Sequence, residues 1–497
     1  MSNRLLSFGL GVLAALVGVA AGHLAAALTT PAASPVLAVG SEVIDLTPTP
    51  LKEWAVRELG TRDKPVLVGS VLVGVLVLAG IAGLLARRRF RYGAVLLVAL
   101  VAVPAVLASS VWPSVVAGVV GVLALFVLTR SAAPVPAPGD GPSRRAVLVG
   151  VGSVAFAGVA MGAAGRWITS YRTRVVAVSL PAPASSATDF PARALDSRVP
   201  GITPLRTPTA DFYRVDTRLA LPVVDLDGWT LTIDGDVERS VTYSFDDLLA
   251  MPLIERDITL TCVSNDVGGR YVGGARWLGV PLGDLLSAAG IAGTRADQIL
   301  STDVDGMTIS TPLSVATDGR DAMIAVGMNG ASLPREHGFP ARMVVPGLYG
   351  FVSACKWITR MTLTTYAEQG AYWTQRDWAT DAPIKIASRV DTPRPLSTVS
   401  PGRTVIGGIA WAQHRGGVTA VEVSVDGGSW SPARLGPSLG EDYWRQWYLP
   451  WTATPGRHTV SCRATAGSGE VQTATRAAPF PDGSSGLQEI VVLVSDG

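Results

Sequence analysis

Charged side chains are scarce in this 497-residue chain: 16% of its residues are charged, against 48% hydrophobic. A typical soluble domain carries about 25% charged residues, so part of this chain is built for a medium other than water. The net charge is only +2, which provides no global basic field for nucleic acid. Cysteine is rarer still, with three in the chain. That number cannot supply the four thiolates of an iron–sulfur cluster, and no Cys-x-x-Cys-His haem-attachment motif occurs. Histidine occurs four times, and only His23 lies in a long apolar run. A bis-histidine haem between membrane helices is therefore excluded. The same runs hold no Asp, Glu or Lys, which removes the usual residues of a proton relay or transport path.

The apolar excess is concentrated before residue 170. Five runs there approach the roughly 20 residues that a helical bilayer crossing needs: Leu5–Thr29, Pro65–Ala86, Tyr92–Ala108, Val111–Thr129 and Ala146–Gly165. Arginines orient them by the positive-inside rule. Arg4, the Arg87-Arg88-Arg89 and Arg91 cluster, Arg130, and the Arg144-Arg145 pair fall on one side only if the N-terminus is cytoplasmic and there are five crossings. The expected localisation is the cell membrane, with everything after Gly165 and the loop Pro31–Lys64 outside the cytoplasm. Ser143-Arg144-Arg145-Ala146-Val147-Leu148 resembles a twin-arginine export motif, although Val149 stands where lysine is usual and the motif is internal. Gly158 and Gly162 have a close-packing spacing; in a span this rich in small residues, chance accounts for it. These helices read as an anchor.

A proline-punctuated segment follows, to about Thr209, with neither helical nor strand periodicity. Mixed α and β patterning comes next. Trp229–Asp234, Asp257–Cys262, Met323–Val326 and Arg342–Val345 read as strands, Gly283–Ala289 as a helix, and Ser244 as the cap of a helix over Phe245–Ala250. From about Pro383 the chain reads as an all-β sandwich: Val405–Ala410, Val418–Val425, Trp447–Trp451, His458–Ala464 and Ile490–Val494 are short strands at sandwich spacing. Asp426-Gly427-Gly428 supplies a hairpin turn. His414, His458 and Cys462 are expected to be structural.

Cys262 closes the β-patterned run Ile258-Thr259-Leu260-Thr261 and opens the turn Val263-Ser264-Asn265-Asp266-Val267-Gly268-Gly269. A thiolate at a strand end suits a soft metal; a free cysteine is also a good core hydrophobe. The surrounding residues favour the metal. Asp211-Phe212-Tyr213-Arg214, Gly235-Asp236-Val237, Tyr243-Ser244-Phe245-Asp246-Asp247-Leu248-Leu249 and Trp277-Leu278-Gly279-Val280-Pro281-Leu282 come in that order. The run from Met328-Asn329-Gly330 through Leu333-Pro334-Arg335-Glu336-His337-Gly338-Phe339-Pro340-Ala341-Arg342, then Val345-Pro346-Gly347-Leu348-Tyr349-Gly350, ends at Lys356-Trp357-Ile358. From about residue 205 onward the chain resembles the sulfite oxidase family of molybdenum enzymes.

The apolar runs and the proline-punctuated segment give five N-terminal transmembrane helices (1–166) and a linker (167–209), and the resemblance, which covers nothing before about residue 205, implies a mixed α+β molybdopterin domain (210–382) and an all-β immunoglobulin-like sandwich of dimerisation type (383–497). It implies two-electron oxygen-atom transfer at molybdenum held by one pyranopterin, with Cys262 as the protein's metal ligand and catalytic thiolate. His337 and Arg342 match positions that hold the cofactor's phosphate and pterin edge. Ser353, Ala354, Cys355 and Lys356 match a pterin-contacting segment, Asp303 a carboxylate at the pterin, and Arg214 the first cofactor-contacting segment. Cys355 is the rival ligand, and a Cys262–Cys355 disulfide would abolish ligation.

Two departures bear on substrate. Sulfite oxidases carry Asn-Arg-Arg after the ligand cysteine, where this chain has Asn265-Asp266-Val267. Their active-site tyrosine has no counterpart in Gly306-Met307-Thr308-Ile309-Ser310-Thr311. Sulfite is therefore disfavoured against a small S- or N-oxide or another oxyanion. Electrons must pass to a separate partner, a quinone, cytochrome or other carrier, and a homodimer is among the expectations. The rival from another class is a cofactor-free binding scaffold.

Overall fold

The structure, a computed structural model, describes residues 3–48, 51, 54–55, 58–59, 63–108, 110–131, 144–172, 178–216, 218–219 and 221–496. It divides into two compact units, Met1–Val175 with Asp216–Leu221, and Val176–Val215 with Pro222–Gly497.

The first unit is helical. Five of its helices, containing the runs Arg4–Leu28, Lys64–Arg88, Phe90–Leu107, Trp112–Ser131 and Val149–Tyr171, are long and apolar enough to cross a membrane. Between such helices there is little hydrophobic driving force in lipid, so close backbone approach through small residues takes its place. Gly11 lies against Gly83, and Gly18 against Ala117 and Gly121. Gly158 and Gly162 face Val17 and Ala20 of the first helix, so their spacing is used for packing and is not a compositional accident. The sequence reading also missed a helix: Pro35–Leu46, in the segment read as a loop, is 12 residues long with Pro at its first turn. That is too short to cross a bilayer, which is why a span-length criterion passes over it. Arg144 opens the last helix, whereas Ser143 of the export-like motif lies outside the described residues.

The second unit begins with ten strands: β1 (Thr230–Gly235), β2 (Val241–Ser244), β3 (Ile254–Thr261), β4 (Val272–Pro281), β5 (Gln298–Asp303), β6 (Thr308–Pro312), β7 (Met323–Met328), β8 (Ala331–Ser332), β9 (Arg342–Val344) and β10 (Ile358–Thr364). They form two sheets, β2-β1-β10-β5-β6 and β3-β4-β7-β8, with β9 paired to β7. The β1–β10 pair is parallel, and Leu231, Ile233, Ile299, Ile358 and Met361 are buried in the core beneath that sheet. Ser244 caps the helix Phe245–Ala250 in a reciprocal box with Asp247, satisfying two helix-end donors at once.

Nine further strands follow: β11 (Ala387–Thr392), β12 (Thr398–Val399), β13 (Gly402–Trp411), β14 (Val418–Val425), β15 (Ser431–Pro432), β16 (Arg434–Leu435), β17 (Arg445–Ala453), β18 (Gly456–Ala466) and β19 (Gln488–Val494). They make the sheets β11-β13-β17-β16 and β12-β19-β18-β14-β15. Ile406 and Trp447 of the first share a buried core with Val421, Val460 and Val492 of the second, a two-sheet sandwich. The turn after β14 has Asp426 and Gly427 both at positive φ, 52° and 68°, the geometry a two-residue hairpin favours. Cys462 is buried with its Sγ 3.2 Å from Ser388 Oγ.

Residues 178–215 are woven into this unit. Ser185 bridges Ile254 beside β3, and Thr207 N donates to Gly274 O at 2.9 Å. Leu195, Val199 and Ile202 form a buried cluster against Val405 and Tyr448 of the sandwich. Gln446 receives the Leu195 amide and donates to Asp196 and to Thr203 O. Trp444 Nε1 and Tyr443 Oη both donate to Leu205 O, at 2.7 and 2.8 Å. Leu195→Ala is expected to destabilise the second unit by about 2–5 kcal/mol, the range for emptying a buried leucine site. A thermal scan of the full-length protein in detergent checks it, and an unchanged melting temperature contradicts it.

Candidate active site

Cys262 stands one residue beyond β3, half-buried. Its amide donates to Tyr271 O at 2.9 Å, and its carbonyl accepts from Asn265 N at 3.0 Å, so a tight loop fixes the thiol's direction. Asn265 is buried and holds the loop closed by accepting from Tyr271 N at 2.8 Å. The sandwich grips the same loop. Arg389 Nη1 donates to Gly269 O at 2.7 Å, Ser484 Oγ to Asn265 O at 2.6 Å, and the Gln488 side chain lies over Gly268. Burial pushes the Cys262 thiol up, while hydrogen bonds from Ser264 and the charge of Lys356 pull the other way. In the metal-free protein the sulfur keeps its proton, which a metal would displace on binding.

Arg342 opens β9 and is 5% exposed. Its guanidinium lies 5.0 Å from the centroid of the fully buried Trp277 ring. Nη1 donates to His337 O at 3.2 Å. Its Nε has no hydrogen-bond partner among the described residues, and none of them forms a salt bridge with it. Burial lowers its pKa to about 10. A buried cation without a counter-ion is costly, so this position asks for an anion from outside the chain.

His337 and Lys356 lie beside it. His337 is buried, with Nε2 3.1 Å from Thr209 O and its ring edge-on to Phe212. Burial, reinforced by the Arg342 charge, lowers its pKa to about 4. Lys356 pairs with Arg342 in an isolated β-bridge and donates through Nζ to Val215 O at 3.3 Å. Gly338, at φ 110°, packs against Arg342 and Lys356, whose Cβ atoms would stand 3.0 and 3.1 Å from a Cβ placed there, so the approach requires glycine. Half-buried Arg214 is close enough to Arg335 to oppose its charge.

The remaining predicted residues are placed differently. Ser353 Oγ turns into its own helical turn, donating to Leu348 O and Tyr349 O at 3.0 Å. Ala354 is buried, and Cys355 belongs to the hydrophobic core. Asp303 Oδ1 accepts from Asp305 N and Met307 N at 2.9 and 3.0 Å, holding the turn beside Trp357. None of Cys262, Cys355 and Cys462 is in a disulfide, so no such bond removes the candidate ligand.

Sequence reasoning missed Tyr213. Its ring stacks on Phe212 at 5.1 Å. Burial, with the Cys262 charge adding and Arg342 opposing, pushes its hydroxyl far above the ordinary range. It therefore stays protonated, close enough to Cys262 and Arg342 to feel the charge of each. Tyr349 also feels the Cys262 charge, its hydroxyl raised to about 12 chiefly by burial. Two tyrosines from other chain positions thus accompany the site that lacks one in the 306–311 stretch. Their only sequence signal was position inside the segments that resemble the sulfite oxidase family. Gly436-Pro437-Ser438-Leu439-Gly440 spells a hydrolase elbow, but it lies in irregular chain between β16 and β17, without the strand-to-helix turn that elbow requires.

Residues 218–373 match the oxidoreductase molybdopterin binding domain family. Human mitochondrial sulfite oxidase is 32% identical over 321 residues, which cover 54% of this chain and 57% of that protein. The NADH nitrate reductase of Solanum lycopersicum is 26% identical over 284 residues, covering 46% of this chain and 31% of its own length. The second unit carries a sulfite oxidase-like molybdopterin oxidoreductase domain. Its fold is shared with the crystal structure of the sulfane dehydrogenase SoxCD from Paracoccus pantotrophus, at a TM-score of 0.51 and 23% identity over 60% of this chain and 85% of that one. The chain spans little more than half the length of the human relative.

The cofactor of such a domain is molybdenum with molybdopterin, and the residues present fit it. Arg342 offers a buried guanidinium whose Nε has no hydrogen-bond partner among the described residues, and the buried Thr261 Oγ1, next to Cys262, likewise has none among them. A phosphate-bearing group answers the first need.

His337 gives a test. Its folded pKa, about 4, lies below the ordinary 6.5, so between those values the unfolded chain binds more protons. Stability therefore rises with pH across that window and is depressed below it, by up to about 3 kcal/mol. Cofactor-free protein should melt at a lower temperature at pH 5 than at pH 7. In His337→Gln that slope should flatten; an equal slope in both proteins rejects the assignment.

Proposed function

We propose that the protein is a membrane-anchored molybdenum oxidoreductase that carries out two-electron oxygen-atom transfer on the extracytoplasmic side. The buried Arg342, unpaired and framed by His337 and Lys356 near the free thiol of Cys262, carries this reading. The molybdenum cofactor supplies the oxygen-atom chemistry; the chain supplies the setting. Cys262 is the protein's thiolate ligand, supported by its half-open place at a strand end, whereas Cys355 is packed in the core. Arg342, His337, Lys356 and Arg214 hold the phosphate and pterin edge, with the backbone of Ser353, Ala354 and Cys355 lining the pterin and Asp303 holding the adjacent turn. Tyr213, protonated beside the thiol, can donate a hydrogen bond to an oxygen of the substrate. A cofactor-free scaffold would have no use for an uncompensated buried guanidinium, since apolar packing would be more stable there.

The substrate is an uncharged S-oxide or N-oxide, taken to its deoxygenated product and water with two electrons and two protons. Asp266 and Val267 stand where sulfite oxidases hold two arginines, and Arg270 is exposed. A unit charge pair about 4 Å apart is worth of order 4 kcal/mol at an effective dielectric near 20, so exchanging cations for a carboxylate weighs against a sulfite dianion. The sandwich is assigned as the immunoglobulin-like dimerisation domain of the family. Electrons reach the site from a separate carrier.

Steady-state assays of sulfite, sulfoxides and N-oxides with artificial electron carriers test the substrate. Oxides should turn over and sulfite poorly; efficient sulfite oxidation at a low KM rejects the assignment. Cys262→Ser should lower activity by more than about 100-fold, beyond the cost of losing a residue that merely orients a ligand. It should also remove one sulfur from molybdenum by X-ray absorption, and Cys355→Ser should do neither.

Topology has its own measurement. Reporter fusions after Arg89 and Arg130 should read cytoplasmic, and one after Trp167 external. A cytoplasmic reading after Trp167 overturns the localisation.

A further inference from the structure

The helical first unit contains a cavity that an anchor does not require. An open groove with a cavity volume of about 60 Å³ lies between helices and is lined only by apolar residues, among them Val19, Val36, Leu100, Gly118 and Gly121. Small residues make it: Ala15 and Gly18 on the first helix, and Ala117, Gly118 and Gly121 on the helix Trp112–Ser131, withhold the side chains that would close it.

Polar groups gather at one end of the same stripes. Residues three, four, seven or eight apart share a helix face. By that spacing, His23 continues the lining row of Ala15 and Val19. Ser114 begins the row of Ala117, Gly118 and Gly121. Ser34 immediately precedes Pro35, itself a lining residue. Gly22 packs against the Pro113 carbonyl and the Pro35 ring, which draws the three segments together. His23 Nδ1 lies 3.4 Å from Ser34 Oγ. Ser114 is fully buried, and its hydroxyl has no hydrogen-bond partner among the described residues. An unsatisfied hydroxyl is expensive where no water can reach it, and histidine in a span is rare enough to signal a ligand.

We propose that this cavity binds a prenyl quinone, its headgroup at His23, Ser34 and Ser114 and its tail along the apolar lining. Imidazole and hydroxyl can each donate to a quinone carbonyl or accept from a quinol hydroxyl. The three polar groups include no lysine or arginine for a phospholipid's phosphate. Gly165, near the end of the last helix, packs on the His23 ring, so the headgroup position is at the end of the bundle from which the chain departs. The choice of a redox lipid rests on the oxidoreductase reading of the second unit, which has no haem or iron–sulfur ligand set of its own.

Full-length protein is incorporated into nanodiscs of phosphatidylcholine and phosphatidylglycerol containing menaquinone-4, then repurified in detergent. Quinone, phospholipid and molybdenum are quantified on the same samples. Wild type should retain close to one quinone per chain, far above the bulk lipid ratio. His23→Leu, which removes the hydrogen bond, and Gly118→Leu, which fills the cavity, should each lower retention roughly tenfold, about 1.4 kcal/mol. His23→Gln, which keeps a donor, should restore most of it, and Val119→Leu on the exposed face should match wild type. Retention at the bulk ratio, phospholipid held in place of quinone, or equal retention in His23→Leu and Gly118→Leu overturns the site. Wild-type retention decides by itself if those variants do not fold. Quinone loss with molybdenum present rejects this site alone; quinone retained without molybdenum supports the site and rejects the catalytic reading.

Discussion

A guanidinium buried without a counter-ion is the constraint on which the second unit turns. The Arg342 guanidinium rests on the face of Trp277 and, among the described residues, donates one hydrogen bond, to the His337 carbonyl. Cation–π attraction of about 2 kcal/mol at a desolvated site offsets only part of the cost of removing that charge from water. Burial, reinforced by the same charge, keeps neighbouring His337 neutral, and the charge opposes the rise of the Tyr213 hydroxyl. Positive charge is thereby focused at one point and not spread by titration, which is the electrostatic requirement for holding a phosphate-bearing cofactor.

The thiol end of the site depends on a different part of the chain. The loop that aims Cys262 is tied by Arg389 and Ser484, and Gln488 lies across it. These residues belong to the sandwich or flank its last strand, more than 100 positions downstream. Gln488 Oε1 in turn accepts from Val390 N at 2.6 Å, so the loop's support is itself hydrogen-bonded within the sandwich. Residues 178–215 bind both parts together through Ser185, Leu195 and Thr207. The sandwich therefore acts on the site's geometry, whatever further role it has in association.

In the first unit, scarcity makes the few polar groups informative. Apolar helices of this kind need only glycine contacts such as Gly11 against Gly83 to pack. His23, Ser34 and Ser114 go beyond that need: His23 meets Ser34, and His23 and Ser114 continue the helix stripes that line the cavity. A polar group is retained in such surroundings only when something satisfies it.

Local and periodic features were legible in the chain itself. The five apolar runs, the Ser244 cap with its box at Asp247, the Asp426-Gly427 hairpin and the main sandwich strands follow from length, capping chemistry and alternation, each decided within a few residues. Cys262, His337, Arg342 and Lys356 could be singled out because residue type and order carry chemistry. Their convergence could not, because it requires β9 to pair with β7 and residue 342 to bridge 356, long-range pairings that periodicity does not encode. Periodicity says that a face is buried, not what buries it. Tyr213 beside the thiol, the threading of residues 178–215, the role of Gly158 and Gly162 against the first helix, and the cavity below His23 were decided only by tertiary structure. Each is a contact between segments far apart in the chain, whose partners are chosen by packing and not by local sequence.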